Sequence, residues 1–292
     1  MAIKKITKAV FPAAGFGTRF LPATKSQPKE MLPIVDKPVI QYLVEEAVDS
    51  GITEIIIVTG RGKRAIEDHF DSSWELEHNL VEKGKHNLLK DIRKISRLAK
   101  FIYVRQSEPR GDGDAILCAK EVVGNDPFVV LFGDDIIAGP KPATKQLLDI
   151  FYKQQSSVIA LEKIEPHRAN MYGIIGTKKS TGRLHTIDTL VEKPEPKNAP
   201  SDLAIIGKYV LTPEIIQALE KAGAGHPDGE LRLIDGLREL GKSQPLYGYQ
   251  VEGRHYDTGD KLGLIKATID FALARPDLAP ELKAYLKTYC KI

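Results

Sequence analysis

The residues nearest the start of the chain that could do chemistry are Gly15, Gly17, Thr18 and Arg19, in the run Ala13-Ala14-Gly15-Phe16-Gly17-Thr18-Arg19, followed by Lys25 and Lys29. Glycines let a backbone approach phosphate oxygens closely, and the guanidinium fork of Arg19 suits an anionic oxygen pair. Pro22, Pro28 and Pro33 punctuate the segment carrying the two lysines, stiffening it and removing competing N–H donors. Neither common phosphate fingerprint is completed. Phe20 stands where a dinucleotide loop has its third glycine, and no Gly-Lys-Ser/Thr follows as a P-loop requires. The pattern predicts a phosphate-holding loop of another type.

Other chemistries find little support. The 7 histidines form no HExxH or other spaced cluster, and no serine or cysteine has a neighbouring base, which argues against zinc catalysis and hydrolytic triads. Cys118 and Cys290 are far apart and lack CxxC partners, as expected of reduced cytoplasmic thiols. A formal charge of +3 from 42 basic and 39 acidic residues is too mild and mixed for a nucleic-acid surface. The 292 residues, 42% hydrophobic and 28% charged, are those of a globular protein. No apolar run approaches the roughly 20 residues of a membrane span, and Met1 to Lys8 lead into no signal core. A soluble, cytoplasmic protein with no nucleic-acid or membrane partner is expected.

The elements that must position the loop alternate. Ile6 to Ala13 is a short, partly β-branched run ending at the glycines, which predicts a buried strand. Helical spacing over Val39 to Ser50 closes at Gly51. Strands are expected at Glu54 to Thr59, Phe101 to Arg105 and Phe128 to Phe132, with helices at Lys63 to Phe70 and Asp114 to Val123. This order predicts an α/β fold with a parallel sheet, with ligands beyond the carboxyl ends of the strands, at the loops after Ala13, Arg105 and Phe132. Ser72 to Lys100 reads as a helical insert packed on the sheet by a stripe of Leu88, Leu89, Ile92 and Ile95. Beyond Ser156 the runs shorten (Val158 to Leu161, Gly173 to Gly176, Leu184 to Leu190, Ala204 to Leu211) between turns, a β-rich half, before helices from Asp260 to Ala274 and near the C-terminus. No linker or repeat interrupts the chain, so one domain over residues 1–292 is expected, with halves at about 1–155 and 156–275.

The glycine loop, Phe20-Leu21-Pro22-Ala23-Thr24-Lys25 and Pro28-Lys29-Glu30-Met31-Leu32-Pro33 together resemble the bacterial UTP:glucose-1-phosphate uridylyltransferases, a branch of the sugar nucleotidyltransferases. The match continues through Arg105-Gln106, Gly133-Asp134, Tyr172-Gly173, Val191-Glu192-Lys193-Pro194 and Tyr256-Asp257-Thr258-Gly259-Asp260. The resemblance implies a three-layer, Rossmann-like fold with a mixed, mostly parallel central sheet. It also implies that UTP and glucose 1-phosphate give UDP-glucose and pyrophosphate with Mg²⁺, in a homodimer or homotetramer.

Residue by residue, the resemblance implies that Ala14, Gly15, Gln106 and Gly111 meet the base, Glu30 faces the nucleoside, and Arg19 and Lys29 hold the triphosphate. Gly173, Glu192 and Lys193 would take the sugar phosphate, and Asp134 and Asp257 the metal. A glutamine amide suits uracil because it can both donate and accept. Asp135 is the weaker ligand candidate of its pair. The chain departs from the family in one loop, where Gly111-Asp112-Gly113-Asp114-Ala115 replaces the frequent Gly-Leu-Gly-His-Ala. Asp114 is expected to cap the following helix, and the sequence assigns Asp112 no role.

Overall fold

Strand β1 (Lys8–Pro12) places alternate side chains on opposite sides, Ala9 and Phe11 in one apolar core and Val10 in another. A strand buried on both faces belongs in the middle layer of a three-layer protein. The computed structural model describes residues 5–223 and 229–289 and contains that layer. The other strands are β2 (Pro33–Ile34), β3 (Lys37–Pro38), β4 (Glu54–Thr59), β5 (Lys100–Arg105), β6 (Phe128–Leu131), β7 (Asp135–Ala138), β8 (Val158–Lys163), β9 (Gly173–Thr181), β10 (Leu184–Glu192), β11 (Leu203–Leu211), β12 (Tyr247–Gln250) and β13 (Arg254–Asp257). The helices are α1 (Val39–Asp49), α2 (Arg64–Phe70), α3 (Trp74–Glu82), α4 (His86–Ile95), α5 (Asp112–Cys118), α6 (Lys120–Val123), α7 (Ala143–Gln154), α8 (Glu214–Ala222), α9 (Leu233–Leu240), α10 (Lys261–Leu273) and α11 (Ala279–Tyr289).

Nine strands form the central sheet in the order β5-β4-β1-β6-β11-β8-β12-β10-β9. The run β5-β4-β1-β6 is parallel and comes from the first half of the chain. Antiparallel β11 joins it to the second half, where β9 and β10 form a hairpin around Gly182 and β12 runs parallel to β8. The sheet is therefore mixed, with its parallel block where the strand–helix alternation predicts it. Leu147 and Phe151 of α7 join α1 in covering one face, while α5, α8 and α9 cover the other through Ile116, Leu219 and Leu237.

Two local expectations need correction. The helix expected at Asp114 to Val123 begins at Asp112, directly after Gly111, and is interrupted at Ala119, giving α5 and α6. Gly111 has φ 102, and a Cβ there would lie 2.3 Å from the carbonyl oxygen of Leu231. Only glycine admits this entry into the helix. In the insert, which folds as α3 and α4 linked by a 2.7 Å ion pair from Arg93 to Glu77, Leu89 is buried and Ile95 packs against the core, but Leu88 is 52% exposed and lies off the packed stripe. Cys290 lies outside the described residues; Cys118 is free, with its thiol pushed up by burial.

A charged pair inside the apolar layers fixes how β11 meets the helices. Lys208, fully buried on β11, donates to Glu46 Oε2 of α1 at 2.8 Å. Glu46 Oε1 accepts from the backbone N–H and hydroxyl of Thr144 on α7, at 2.9 and 2.7 Å. Removing one partner leaves a buried charge unanswered, which costs about 3–5 kcal/mol. Lys208→Ala is therefore expected to lose about 3 kcal/mol in urea unfolding, and the double variant Glu46→Gln/Lys208→Met to recover most of it.

Candidate active site

Two adjoining cavities, of about 420 and 250 Å³, open beyond the carboxyl ends of β1, β5 and β6 and share Asp112, Phe132 and Asp134 in their walls. The twelve residues singled out from the sequence all line one or both. Ala14, Gly15, Lys29, Glu30, Gln106 and Gly111 border the larger cavity, and Arg19, Gly173, Glu192, Lys193 and Asp257 the smaller, with Asp134 between them.

The glycine loop leaves the sheet where the N–H of Ala13 donates to the Val58 carbonyl at 2.9 Å. Ala13 and Ala14 are buried, and from Gly15 the chain turns outward along the larger cavity. A Cβ on Gly15 would meet no protein atom within 4 Å. Internal packing does not require a glycine there, and the position opens onto the larger cavity. Arg19 is exposed, with Nη1 3.5 Å from the Gly259 carbonyl.

Glu30 sits in a single 3₁₀ turn, Lys29–Met31, that points its side chain inward. It is fully buried, and its Oε2 accepts from Lys63 at 2.8 Å. Its Oε1 has no hydrogen-bond partner among the described residues. A buried carboxylate oxygen without a donor is costly, so this one is poised for a donor supplied from the cavity. Lys63 escapes sequence reasoning, because a lysine at a helix start reads as solvated surface. The signal lies only in its distance from Glu30 once folded.

Gln106 is buried, and its amide nitrogen donates to the Gly111 carbonyl at 3.0 Å and to Asp114 Oδ2 at 2.7 Å. Asp114 therefore does not cap α5. It lies within the first turn, with its carboxylate on Gln106 rather than on the first amides of the helix. Asp112, unassigned from sequence, accepts the Leu233 N–H at 2.7 Å and so ties α5 to the start of α9.

One wall of the smaller cavity is the open end of the β9–β10 hairpin. Gly173 pairs with Glu192, and a Cβ on it would crowd Ile205, Ile234 and Glu192 Oε2 at 3.2–3.4 Å. Lys193 follows at φ 44, a strained backbone for a residue with a side chain. Its N–H donates to the Tyr172 carbonyl at 3.1 Å, and its half-exposed amine lies 3.4 Å from Glu192 Oε1.

Between the cavities, three aspartates crowd the ends of β6, β7 and β13. Thr258 holds Asp134 in place, with its N–H and hydroxyl on the Asp134 carbonyl at 2.7 and 2.8 Å. Lys29 donates to Asp134 Oδ2 at 2.5 Å; although burial works against its charge, Asp134, Glu30 and Asp135 raise its pKa. Asp135 accepts from His255 at 2.7 Å and from the Gly207 N–H at 3.1 Å. His255 also contacts Glu162 at 2.6 Å; although burial opposes its charge, the two carboxylates push it up to about 10, an imidazolium. Asp135 is thereby occupied on both oxygens. The histidine carries no signal in the sequence because its partners come from β7 and β8, remote in the chain.

Asp257 is held differently. Its Oδ1 accepts the Gly259 N–H at 3.0 Å, and burial together with Asp135 and Asp134 raises its pKa. Its Oδ1 and Asp134 Oδ2 lie 3.0 and 2.6 Å from one point, where a Cβ of Gly259 would stand. The helix behind it, α10, is capped by Asp260 on the N–H groups of Leu262 and Gly263. Two converging carboxylates, one lacking a cation, fit a divalent ion that takes its other ligands from phosphate. No cluster of three potential ligands exists among the described residues.

A mixed sheet ending in a glycine loop, with acidic and basic groups between two joined cavities, defines an α/β enzyme of the nucleotide-processing kind. Residues 8–272 match the nucleotidyl transferase family, and the chain belongs to it. It is 51% identical over 288 residues to the UTP--glucose-1-phosphate uridylyltransferase YngB of Bacillus subtilis (strain 168), covering 99% of this chain and 97% of that one. Among solved structures, the UTP-bound UGPase of Acinetobacter baumannii superposes with a TM-score of 0.89 at 39% identity, over 97% of this chain and 99% of that one. A UDP-glucose pyrophosphorylase complexed with UDP-glucose gives 0.84 at 42% identity, over 93% and 100%.

Burial, with the charge of Glu192 adding to it, raises Asp112 to about 6 in the folded protein. A carboxyl whose folded pKa lies above the unfolded value near 3.8 contributes stability that is complete below that value and is lost as pH rises through about 6. Asp112→Asn keeps an acceptor for Leu233 and cannot ionise. It is expected to equal the parent near pH 4 and to exceed it by about 3 kcal/mol at about pH 7.5, as read by urea unfolding at the two pH values.

Proposed function

We propose that the protein transfers a uridylyl group from UTP to glucose 1-phosphate, giving UDP-glucose and pyrophosphate. The observation that carries this is the joining of the two cavities at Asp134: the glycine loop borders one, and Glu192 and Lys193 border the other. Two anions bound in these compartments would meet at the shared wall. The uridylyltransferase relatives and the UTP- and UDP-glucose-bound neighbours support the choice of substrates.

A phosphate oxygen of the sugar attacks the α-phosphorus of UTP in line. The new P–O bond forms as the bond to the β-phosphate oxygen breaks, and pyrophosphate leaves with that electron pair. The nucleophile is already an anion, so no general base is required. The protein must bring two anions together and neutralise the charge that develops. Lys193 holds the sugar phosphate, and its strained backbone aims the amine along the hairpin end. Glu192 accepts from sugar hydroxyls beside the small Gly173. Arg19 and Lys29 bind the triphosphate, Lys29 exchanging part of its contact with Asp134 for phosphate oxygens. Ala14, Gly15 and Gln106 hold the base above Gly111, and the free oxygen of Glu30 accepts from the nucleoside. Asp134 and Asp257 are the residues that would hold Mg²⁺, which when bound supplies charge neutralisation at the phosphates.

Removing one such electrostatic group usually costs about 10²–10³ in turnover. Lys193→Ala and Asp134→Ala are each expected to lower kcat about 100-fold or more while leaving the fold intact. A panel of nucleoside triphosphates and sugar 1-phosphates, followed by pyrophosphate release, should show UTP with glucose 1-phosphate as the preferred pair; preference for another pair would overturn the assignment.

A further inference from the structure

The amide of Gln106 has two neighbours that can only accept hydrogen bonds, the Gly111 carbonyl at 3.0 Å and the Asp114 carboxylate at 2.7 Å. Both its N–H groups are therefore directed into the protein. No donor among the described residues reaches its Oε1, so toward the cavity this glutamine is an acceptor and nothing else. A glutamine alone is ambivalent, because rotating the amide by a half-turn exchanges its donor and acceptor at little cost. Here a half-turn would set the amide oxygen against a carbonyl and a carboxylate, losing two hydrogen bonds and adding repulsion.

The polarity of this one group distinguishes pyrimidines. Uracil presents an N3–H, a donor, at the middle of its pairing edge, flanked by two carbonyls. Cytosine presents a lone pair there. A fixed acceptor rewards the first and repels the second, and rejection by an unsatisfied polar pair is stronger than rejection by shape. The Asp114 carboxylate makes the charge-assisted and shorter of the two contacts on the amide, so it contributes more to the lock than the Gly111 carbonyl does. Its side chain is only 19% exposed, and its other oxygen, Oδ1, lies 3.8 Å from Arg110 Nε, which offsets part of the negative charge near an anionic ligand.

We propose that Asp114 is a positioning residue for base selection, locking the Gln106 amide with its oxygen toward the cavity so that UTP is taken and CTP refused; the proposal rests on the uridylyl reading above. Asp114 does not touch the base. Its influence should appear in nucleotide affinity and choice, and leave the chemical step alone.

The test measures kcat and KM with UTP and with CTP, alongside calorimetric binding of both nucleotides, for the parent, Asp114→Ala and Asp114→Asn. In the alanine variant the UTP-over-CTP ratio of kcat/KM should fall about tenfold, the worth of one hydrogen bond to a charged group, through KM and with kcat little changed. Asparagine can still turn a carbonyl toward Gln106 and should restore most of the ratio. Should the alanine variant fail to fold, Asp114→Leu, similar in volume and without an acceptor, carries the same expectation. Equal losses with both nucleotides, an unchanged ratio, or no rescue by asparagine would overturn the proposal. If the parent released no pyrophosphate from UTP the uridylyl reading would fail, while the affinity ratio would still decide the part played by Asp114.

Discussion

Negative charge at the carboxyl ends of the strands is the constraint that the rest of the structure answers. Glu30, Asp112, Asp134, Asp135, Glu192 and Asp257 all border one cleft whose proposed cargo is itself anionic. Such a concentration persists only if each carboxylate is paired, hydrogen-bonded or neutralised. Four of the six have a cation beside them: Lys63 takes Glu30, Lys29 takes Asp134, His255 takes Asp135, and Lys193 stands beside Glu192. Asp112 settles for the Leu233 N–H, and Asp257 has only the Gly259 N–H, with no cation in ion-pair reach among the described residues. The residual charge thus gathers around Asp257 and Asp134, where a divalent ion bound with phosphate oxygens would discharge it.

The supports for these pairs are spread over the fold. His255 lies on β13, which pairs with β7, and this small ribbon carries Asp257 opposite Asp135. The close packing of α10 against β13 holds that register, since a Cβ on Gly263 would overlap the Asp257 carbonyl at 1.9 Å. On the other side of the cleft the Lys208–Glu46 pair fixes β11 against α1 and α7, and β11 carries Gly207, whose N–H steadies Asp135. Buried charge in the core and charge in the cleft are joined through a single strand.

Much of this is legible in the sequence where the signal is local. Ile55-Ile56-Ile57-Val58 reads as a strand buried on both faces, and the alternation from Ile6 to Phe132 marks out the parallel block. The second half is less legible: β12 is only four residues long, and α7, α8 and α9 fall among strands without the regular alternation of the first half, although the spacing of Leu147, Leu148 and Phe151 in α7 is that of a helix face. The candidate site residues stand out by motif, and their convergence on two joined cavities follows from the fold. What spacing does not reveal are the partners. Lys63 and His255 look like surface residues until the chain brings Glu30, Asp135 and Glu162 to them, and Asp114 looks like a helix cap until Gln106 is seen beneath it.

The tie that Asp112 makes between α5 and the start of α9 is one of three across the same seam. The Gly113 N–H donates to Leu231, the Leu231 N–H to Arg110, and the Leu233 N–H to Asp112, at 2.9, 2.8 and 2.7 Å. The stretch that borders the larger cavity is thus stitched to the stretch that lines the smaller one, and the two walls form one piece of masonry. Neither can be recut alone: a loop exchange that reshapes one cavity would also move the wall of the other. Diversification of such an enzyme would have to proceed by paired changes across the seam, on which even the hairpin end leans, through Gly173 against Ile234 and Arg238 donating to the Leu190 carbonyl.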